Sequence, residues 1–165
     1  MIFVDGILAG NYDELRLRVK KIADQPIRVV VNTNHYQDHT GTNAKFLADG
    51  TPVRAQENVA RNLMACHPAG DKISPLQFGL VEVQLLHFSN ARTDGDTVVY
   101  FPNLKAVAVG DIYLPSPVPD YSAGGSLFGW GPVWSQVLKL DFDAAIPGSG
   151  PAISRSGPRS LQKQD

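Results

Sequence analysis

Apolar positions change period several times along the chain, and each change marks an element. Met1-Ile2-Phe3-Val4 is a short apolar run that enters a turn at Asp5-Gly6 and predicts a strand. Residues 11–24 predict a helix. Leu15, Val19 and Ile22 fall at i, i+4 and i+7 on one face, with Arg16, Arg18, Lys20 and Lys21 mostly on the solvated side. Asn11 followed by Glu14 has the spacing of a capping box, and Pro26 closes the region. Arg28-Val29-Val30-Val31-Asn32 is β-branched and predicts a buried strand. Residues 33–43 are polar and carry His35 and His39. A short helix follows over 44–48, closed by Asp49-Gly50. Residues 52–55 predict a strand, 57–66 a helix on the Val59, Leu63, Cys66 spacing, and 67–77 a loop.

From Leu80 the period becomes two: Val81, Val83 and Leu85 alternate with Glu82, Gln84 and Leu86, as in a half-buried strand. Residues 97–101 and 106–109 predict two strands joined by a tight connection over 102–105. Residues 112–125 are a loop rich in Pro and Gly. Leu127, Trp130, Val133, Trp134, Val137 and Leu138 suit an amphipathic helix with Pro132 in its first turn and both tryptophans in the core. Residues 143–147 predict a last strand. The alternation of strands and helices around a central hairpin predicts an α/β architecture with helices covering sheet faces. One domain over 1–153 is expected, with a polar tail over 154–165 that frays.

Composition narrows the class. The chain has 165 residues, 43% hydrophobic and 19% charged, with a formal net charge of -1. A disordered chain is excluded, and the length suits one packed core. The even charge balance and the lack of a basic-aromatic cluster argue against nucleic-acid binding. No apolar run of about 18 residues is present to span a membrane. The first residues lack the basic and long apolar regions of a leader, so a soluble protein is expected, with no compartment indicated. The lone Cys66 reads as a small buried hydrophobe.

Four motifs carry a resemblance. After the valine strand comes Asn32-Thr33-Asn34-His35-Tyr36-Gln37-Asp38-His39. Later come Arg92-Thr93-Asp94-Gly95-Asp96, Gly110-Asp111 and Pro147-Gly148-Ser149-Gly150-Pro151. In order and over nearly the whole chain, these resemble the metallo-β-lactamase superfamily. Its metal loop reads His-x-His-x-Asp-His, followed by a third-histidine loop, a Gly-Asp and a Pro-Gly-His-Gly-Pro turn. The resemblance implies an αβ/βα sandwich, here incomplete at the N-terminus, with a metal site at the strand ends. There a divalent cation lowers the pKa of bound water and polarises the substrate.

Carried over by position, the resemblance places Asn34 and Tyr36 where the family has its first two histidines. Arg92 falls at the third and Ser149 at the late one. Asp38, His39 and Asp111 keep the family's ligand types. An amide, a phenol and a guanidinium cannot replace three imidazoles, so a paired zinc centre is not expected. Asp38, His39 and Asp111 would suit one Zn, Fe or Mn ion, with Asp38 the residue to test for catalysis. His35 is an alternative ligand were the loop to shift by one place; otherwise it packs at the loop surface. Asp5 reads as structural, Asp96 as a residue that orders its loop, His87 as hydrogen-bonded and His67 as exposed. Arg92 is expected to replace the metal's charge by pairing with Asp38 and Asp111.

Two functions follow. One is a hydrolase-family protein whose metal-assisted hydrolysis is weak or lost, acting on a small molecule if active. The other is a non-catalytic binding or vestigial domain. The exposed sheet edge implied by the missing strands predicts self-association.

Overall fold

The structure is a computed structural model that describes residues 1–63, 67–68, 76–114 and 118–155. Four strands form the first sheet: β1 (Ile2–Val4), β2 (Val29–Val31), β3 (Val53–Ala55) and β4 (His67–Pro68). They lie in that order, all parallel, with Phe3 opposite Val30 and Val30 opposite Val53. The second sheet holds β5 (Leu76–Phe78), β6 (Val81–Leu86), β7 (Val98–Phe101), β8 (Ala106–Gly110), β9 (Ala144–Pro147) and β10 (Ile153–Ser154). Its order is β10-β9-β8-β7-β6-β5, antiparallel except for β8 with β9. The helices are α1 (Tyr12–Ile22), α2 (Gln37–Thr40), α3 (Asn43–Ala48), α4 (Glu57–Asn62) and α5 (Leu127–Val137).

Three apolar layers follow from the period-two alternation of the strands. Val29 and Val31 of β2 meet Val83, Leu85, Val99 and Ala108 between the sheets. Val30, one place out of phase, faces the other way and packs with Val53, Phe46 of α3 and Tyr12 of α1. On the far side, Val98, Tyr100, Val107 and Val109 pack under Trp130, Val133, Trp134 and Val137 of α5. The expected layered α/β architecture is thus present: helices, sheet, sheet, helix.

Several local expectations are corrected. Asn11 occupies the N-cap of α1, but its side chain makes no cap bond. Glu14 instead pairs with Arg18 at 2.6 Å along the helix. The helix stops at Ile22, which is 87% exposed rather than on the apolar face. α4 ends at Asn62 and Leu63 is extended, so the i, i+4, i+7 pattern outruns the helix; Cys66 lies outside the described residues. The expected loop over 67–77 contains β4 and β5, and the polar 33–43 stretch contains α2. Ser154 pairs with Ala144 across β10 and β9; residues 156–165 of the expected tail lie outside the described residues.

Pro132 sits inside α5, not in its first turn. The helix starts at Leu127 because Ser126 caps it, its hydroxyl accepting the Gly129 N–H at 3.1 Å. Pro132 then leaves the Phe128 carbonyl without its intrahelical donor. Phe128 is 94% exposed, so solvent reaches that end of the helix.

Candidate functional site

The loops at the C-terminal ends of β1, β2, β8 and β9 converge with the loop that leads into β7. Thr97 donates its N–H to the Thr33 carbonyl at 2.8 Å, which ties the two sheets together at this end. Asp5 leaves β1 with φ of 59°, a left-handed conformation that Asp tolerates better than most residues. That bend aims its carboxylate at the loop after β2. Oδ1 accepts the Thr33 N–H and Oδ2 accepts the Thr33 hydroxyl, each at 2.7 Å.

His39 is the centre of the cluster. It lies on α2 and is 2% exposed. Its Nδ1 is 2.9 Å from Asp5 Oδ2, and its Nε2 is 3.3 Å from Asp111 Oδ1. Burial pushes the imidazole pKa down, but hydrogen bonds and charge from Asp111 and Asp5 outweigh it and push the value up to about 10. His39 is therefore an imidazolium between two carboxylates at neutral pH. The backbone around it is braced: Asn32 donates to the His39 carbonyl at 2.9 Å, and Asn43 donates to Asn32 at 2.8 Å.

Asp111 follows Gly110, whose φ is +52° and whose hydrogen faces Thr33; a Cβ there would lie 2.4 Å from Thr33 Oγ1. Asn34 is buried and donates its amide N–H to Asp111 Oδ2 at 3.2 Å, while its oxygen accepts the Tyr36 N–H. Gly148 closes the other side. A Cβ at this glycine would lie 2.6 Å from Asp111 Oδ1 and 2.7 Å from His39 Cε1.

Asp38 borders this centre, and Tyr36 and Arg92 pair outside it. The Asp38 side chain is 62% exposed, its carboxylate 3.8 Å from His39 Nε2. Ser149 is exposed beyond β9. Tyr36 donates its hydroxyl to Asp120 at 2.7 Å, and burial and that bond raise its pKa well above the usual phenol value. Asp120 is held down to about 2 by bonds from Ser122 and Tyr36. The Arg92 guanidinium carbon lies 5.1 Å over the Tyr36 ring, and Nη1 donates to the Val118 carbonyl.

The charge expectation is corrected. Among the described residues Arg92 has no ion pair with Asp38 or Asp111; the cation at Asp111 is His39. The chain has Asp5 reach His39 first, and the fixed guanidinium stacks on Tyr36 instead. Asp96 orders its loop as expected, accepting the N–H groups of Arg92 at 2.6 Å and Thr93 at 3.1 Å. Buried, its carboxyl is pushed up to about 6 despite bonds from Thr93, Arg92 and Ala91. His87 is hydrogen-bonded to the Asp96 carbonyl at 2.9 Å. His35 stacks on Tyr36 with ring centroids 4.7 Å apart and does not enter the Asp111 cluster. The side chain of His67 lies outside what is described. Asp120 was not legible as a site residue; its only signal was an Asp before a Tyr-Ser-Ala turn, which it also caps.

A metal of the kind the resemblance implies meets a poor donor set. Asn34, Tyr36, Arg92 and Ser149 offer an amide, a phenol, a guanidinium and a hydroxyl in place of imidazoles, and Asn34 turns an N–H on Asp111. Among the described residues no group of three or more His, Cys, Asp or Glu side chains is arranged to hold an ion. Asp5 on His39 Nδ1 turns Nε2 towards Asp111 and Asp38, and an ion there would displace the proton these carboxylates share. The residues present do not supply the histidines of a paired centre. Of the carboxylates around His39, Asp38 is the exposed one, at 62% against 15% for Asp5 and 10% for Asp111.

Two cavities among the described residues lie at the opposite end of the first sheet. One of about 750 Å³ opens between α1 and residues 23–27, the segment that precedes β2. Among the described residues no helix is long and apolar enough to cross a membrane.

No family model matches the chain. It is 26% identical over 144 residues to the 2,4-dinitroanisole O-demethylase subunit alpha of Nocardioides sp. (strain JS1661). The match takes in 79% of this chain but only 43% of that protein's length. Among solved structures, it resembles a metallo-β-lactamase from Pontibacter korlensis with a TM-score of 0.83 and 20% identity, covering 99% of this chain and 82% of the other. The DIM-1 metallo-β-lactamase gives 0.80 and 19%, over 98% and 79%. The IND-7 metallo-β-lactamase gives 0.77 and 17%, over 98% and 81%. The layered sheets, the strand-end cluster and these likenesses agree: the chain has the metallo-β-lactamase fold.

Proposed function

We propose that this protein is a hydrolase-type member of that fold in which metal-assisted hydrolysis is weak or lost, and that its strand-end loops bind a small molecule. The observation that carries the reading is that the substituted side chains are bound within the protein: Asn34 to Asp111, Tyr36 to Asp120, and Arg92 to the Tyr36 ring and the Val118 carbonyl. Asn34, Tyr36, Arg92 and Ser149 at the substituted positions support it, because none can replace a neutral imidazole toward a divalent ion. The nitroaromatic methyl ether named for the curated relative belongs to a protein more than twice as long as the matched segment. It enters here only as one substrate to try, beside a chromogenic β-lactam and a nitrophenyl ester.

The test is metal analysis of protein purified without chelator, with those three substrates assayed on the same sample. Metal well below one ion per chain is expected, with rates within about tenfold of buffer, where catalysis by fixed groups alone is minor. Asp38→Ala should leave these rates unchanged. Near-stoichiometric zinc, iron or manganese together with turnover abolished by Asp38→Ala would overturn the reading.

A further inference from the structure

The two cavities near the N-terminal ends of β2 and β3 join. One of about 750 Å³ runs along α1 against residues 23–27. The other, of about 600 Å³, adjoins it against residues 49–52. Arg16, Pro26, Ile27 and Asp49 line both, so the pair forms one groove. Volumes of this order are those of small-molecule sites. Part of the lining is apolar. Tyr12 and Val19, two turns apart, share one side of α1, and Ala23, Pro26 and Ile27 continue the surface.

Charge is uneven along this groove. Arg16 and Arg28 both line the second cavity, where Asp49 is the only acid among the described lining residues. Asp49 is already engaged: its Oδ2 accepts the Tyr12 hydroxyl, and Arg16 Nη1 stands 4.0 Å from the same oxygen. Arg28 has no carboxylate within 4.0 Å among the described residues. Both guanidiniums are within reach of a ligand, since the Arg16 side chain is 47% exposed and Arg28 is exposed. Arg28 is fixed at its backbone, its N–H donating to the Met1 carbonyl at 2.8 Å. Two guanidiniums against one committed acid leave positive charge over, beside Pro26, Ile27 and Pro52. The first cavity has no such surplus, because Asp13, Asp24 and Asp49 line it against Arg16 and Lys20.

We infer that this groove binds a straight-chain carboxylate, its head group between Arg16 and Arg28 and its alkyl chain along Tyr12, Val19 and Ile27. The site lies at the other end of the first sheet from His39 and stands apart from the function proposed above. A carboxylate matches the planar fork of a guanidinium. It is favoured over a phosphate dianion because Asp49 borders the head-group end and would repel a second charge. An extended chain is favoured over a compact ring because the lining runs from Tyr12 to Ala23, about 16 Å at the rise of an α-helix.

An NMR titration with octanoate tests it, with octanol as the neutral analogue and acetate as the acid without a chain. Saturable shifts are expected at the Ile27, Arg28 and Thr51 amides, with a midpoint below about 10 mM. Octanol and acetate should each bind about fivefold more weakly or worse, the scale of an exposed charge pair for the first and of lost apolar contact for the second. Arg28→Gln alters an exposed side chain and keeps its backbone bond. It should weaken octanoate by a similar factor and leave octanol unchanged. The octanol and acetate comparisons use the unaltered chain, so they decide even if the variant fails to fold. Octanol binding as tightly as octanoate, shifts confined to the strand-end loops, no saturation by about 10 mM, or undiminished octanoate binding by folded Arg28→Gln would each overturn the inference.

Discussion

A single buried cation between Asp5 and Asp111 holds the strand ends together, and its loss should be felt in stability. His39→Gln keeps a hydrogen-bonding group but leaves two carboxylates facing each other. Breaking a buried pair in this way costs about 3–5 kcal/mol. Urea denaturation of the two proteins at pH 6 measures it. The pH dependence has a definite sign. The folded pKa of His39 is raised to about 10 from 6.5, so its contribution is complete below about pH 6.5 and is lost as pH rises towards 10. The stability gap between wild type and His39→Gln should therefore narrow from pH 6 to pH 10; a gap constant across that range would contradict the imidazolium. Much of this residue scale was legible beforehand. Asp38, His39 and Asp111 were picked out by likeness of sequence, and both carboxylates lie within 4 Å of His39 Nε2, Asp111 at 3.3 Å and Asp38 at 3.8 Å. The role of Asp5 was not, because Asp5 reaches His39 only through a left-handed turn and thirty-odd residues of intervening chain. Arg92 was misplaced for a related reason: charge alone suggested Asp111, whereas its neighbours in space are Tyr36 and Val118.

Among the elements, the glycine-bearing ends of β8 and β9 fit closely. Gly148→Ala would drive a methyl group into Asp111 and His39 and should cost about 1–3 kcal/mol, the range for overpacking. Gly150, beyond the same strand, has open space at its Cβ direction but a φ of +97°, so alanine there is strained for a different reason. Thermal melts of the two variants should show both destabilised, but only Gly148→Ala should also lower the His39 titration, read by NMR. Strand identity was readable in β6, where the period is two, and in β7, whose continuous apolar run reflects a layer packed on each face. It was not readable for β4 and β5, which are two and three residues long and take their structure from pairing with Arg54 and Val83. Helix ends misled in the same manner. The spacing of Leu15, Val19 and Ile22 continues past the point where α1 still has a sheet beneath it, and Leu63 continues a pattern that the backbone has left.

At the scale of the molecule, β1 and β5 are edge strands, and the layer between the sheets opens beside them. Ile2, Val4, Leu76, Phe78, Val81 and Phe101 are only partly buried there. Unpaired edges with apolar flanks invite pairing. Light scattering should show a mass that climbs from one chain to two between about 1 and 100 μM, and Ile2→Lys should hold it at one. A constant single-chain mass over that range would remove the idea. The two sheets also divide the sequence cleanly. Residues before the β4–β5 connection build one and residues after it build the other, yet Asp5 and His39 come from the first part and Asp111 from the second. Neither part carries a complete inter-sheet layer or a complete polar cluster alone. A polypeptide severed between β4 and β5 would consist of two complementary fragments, each able to regain the cluster only by reassembling with the other.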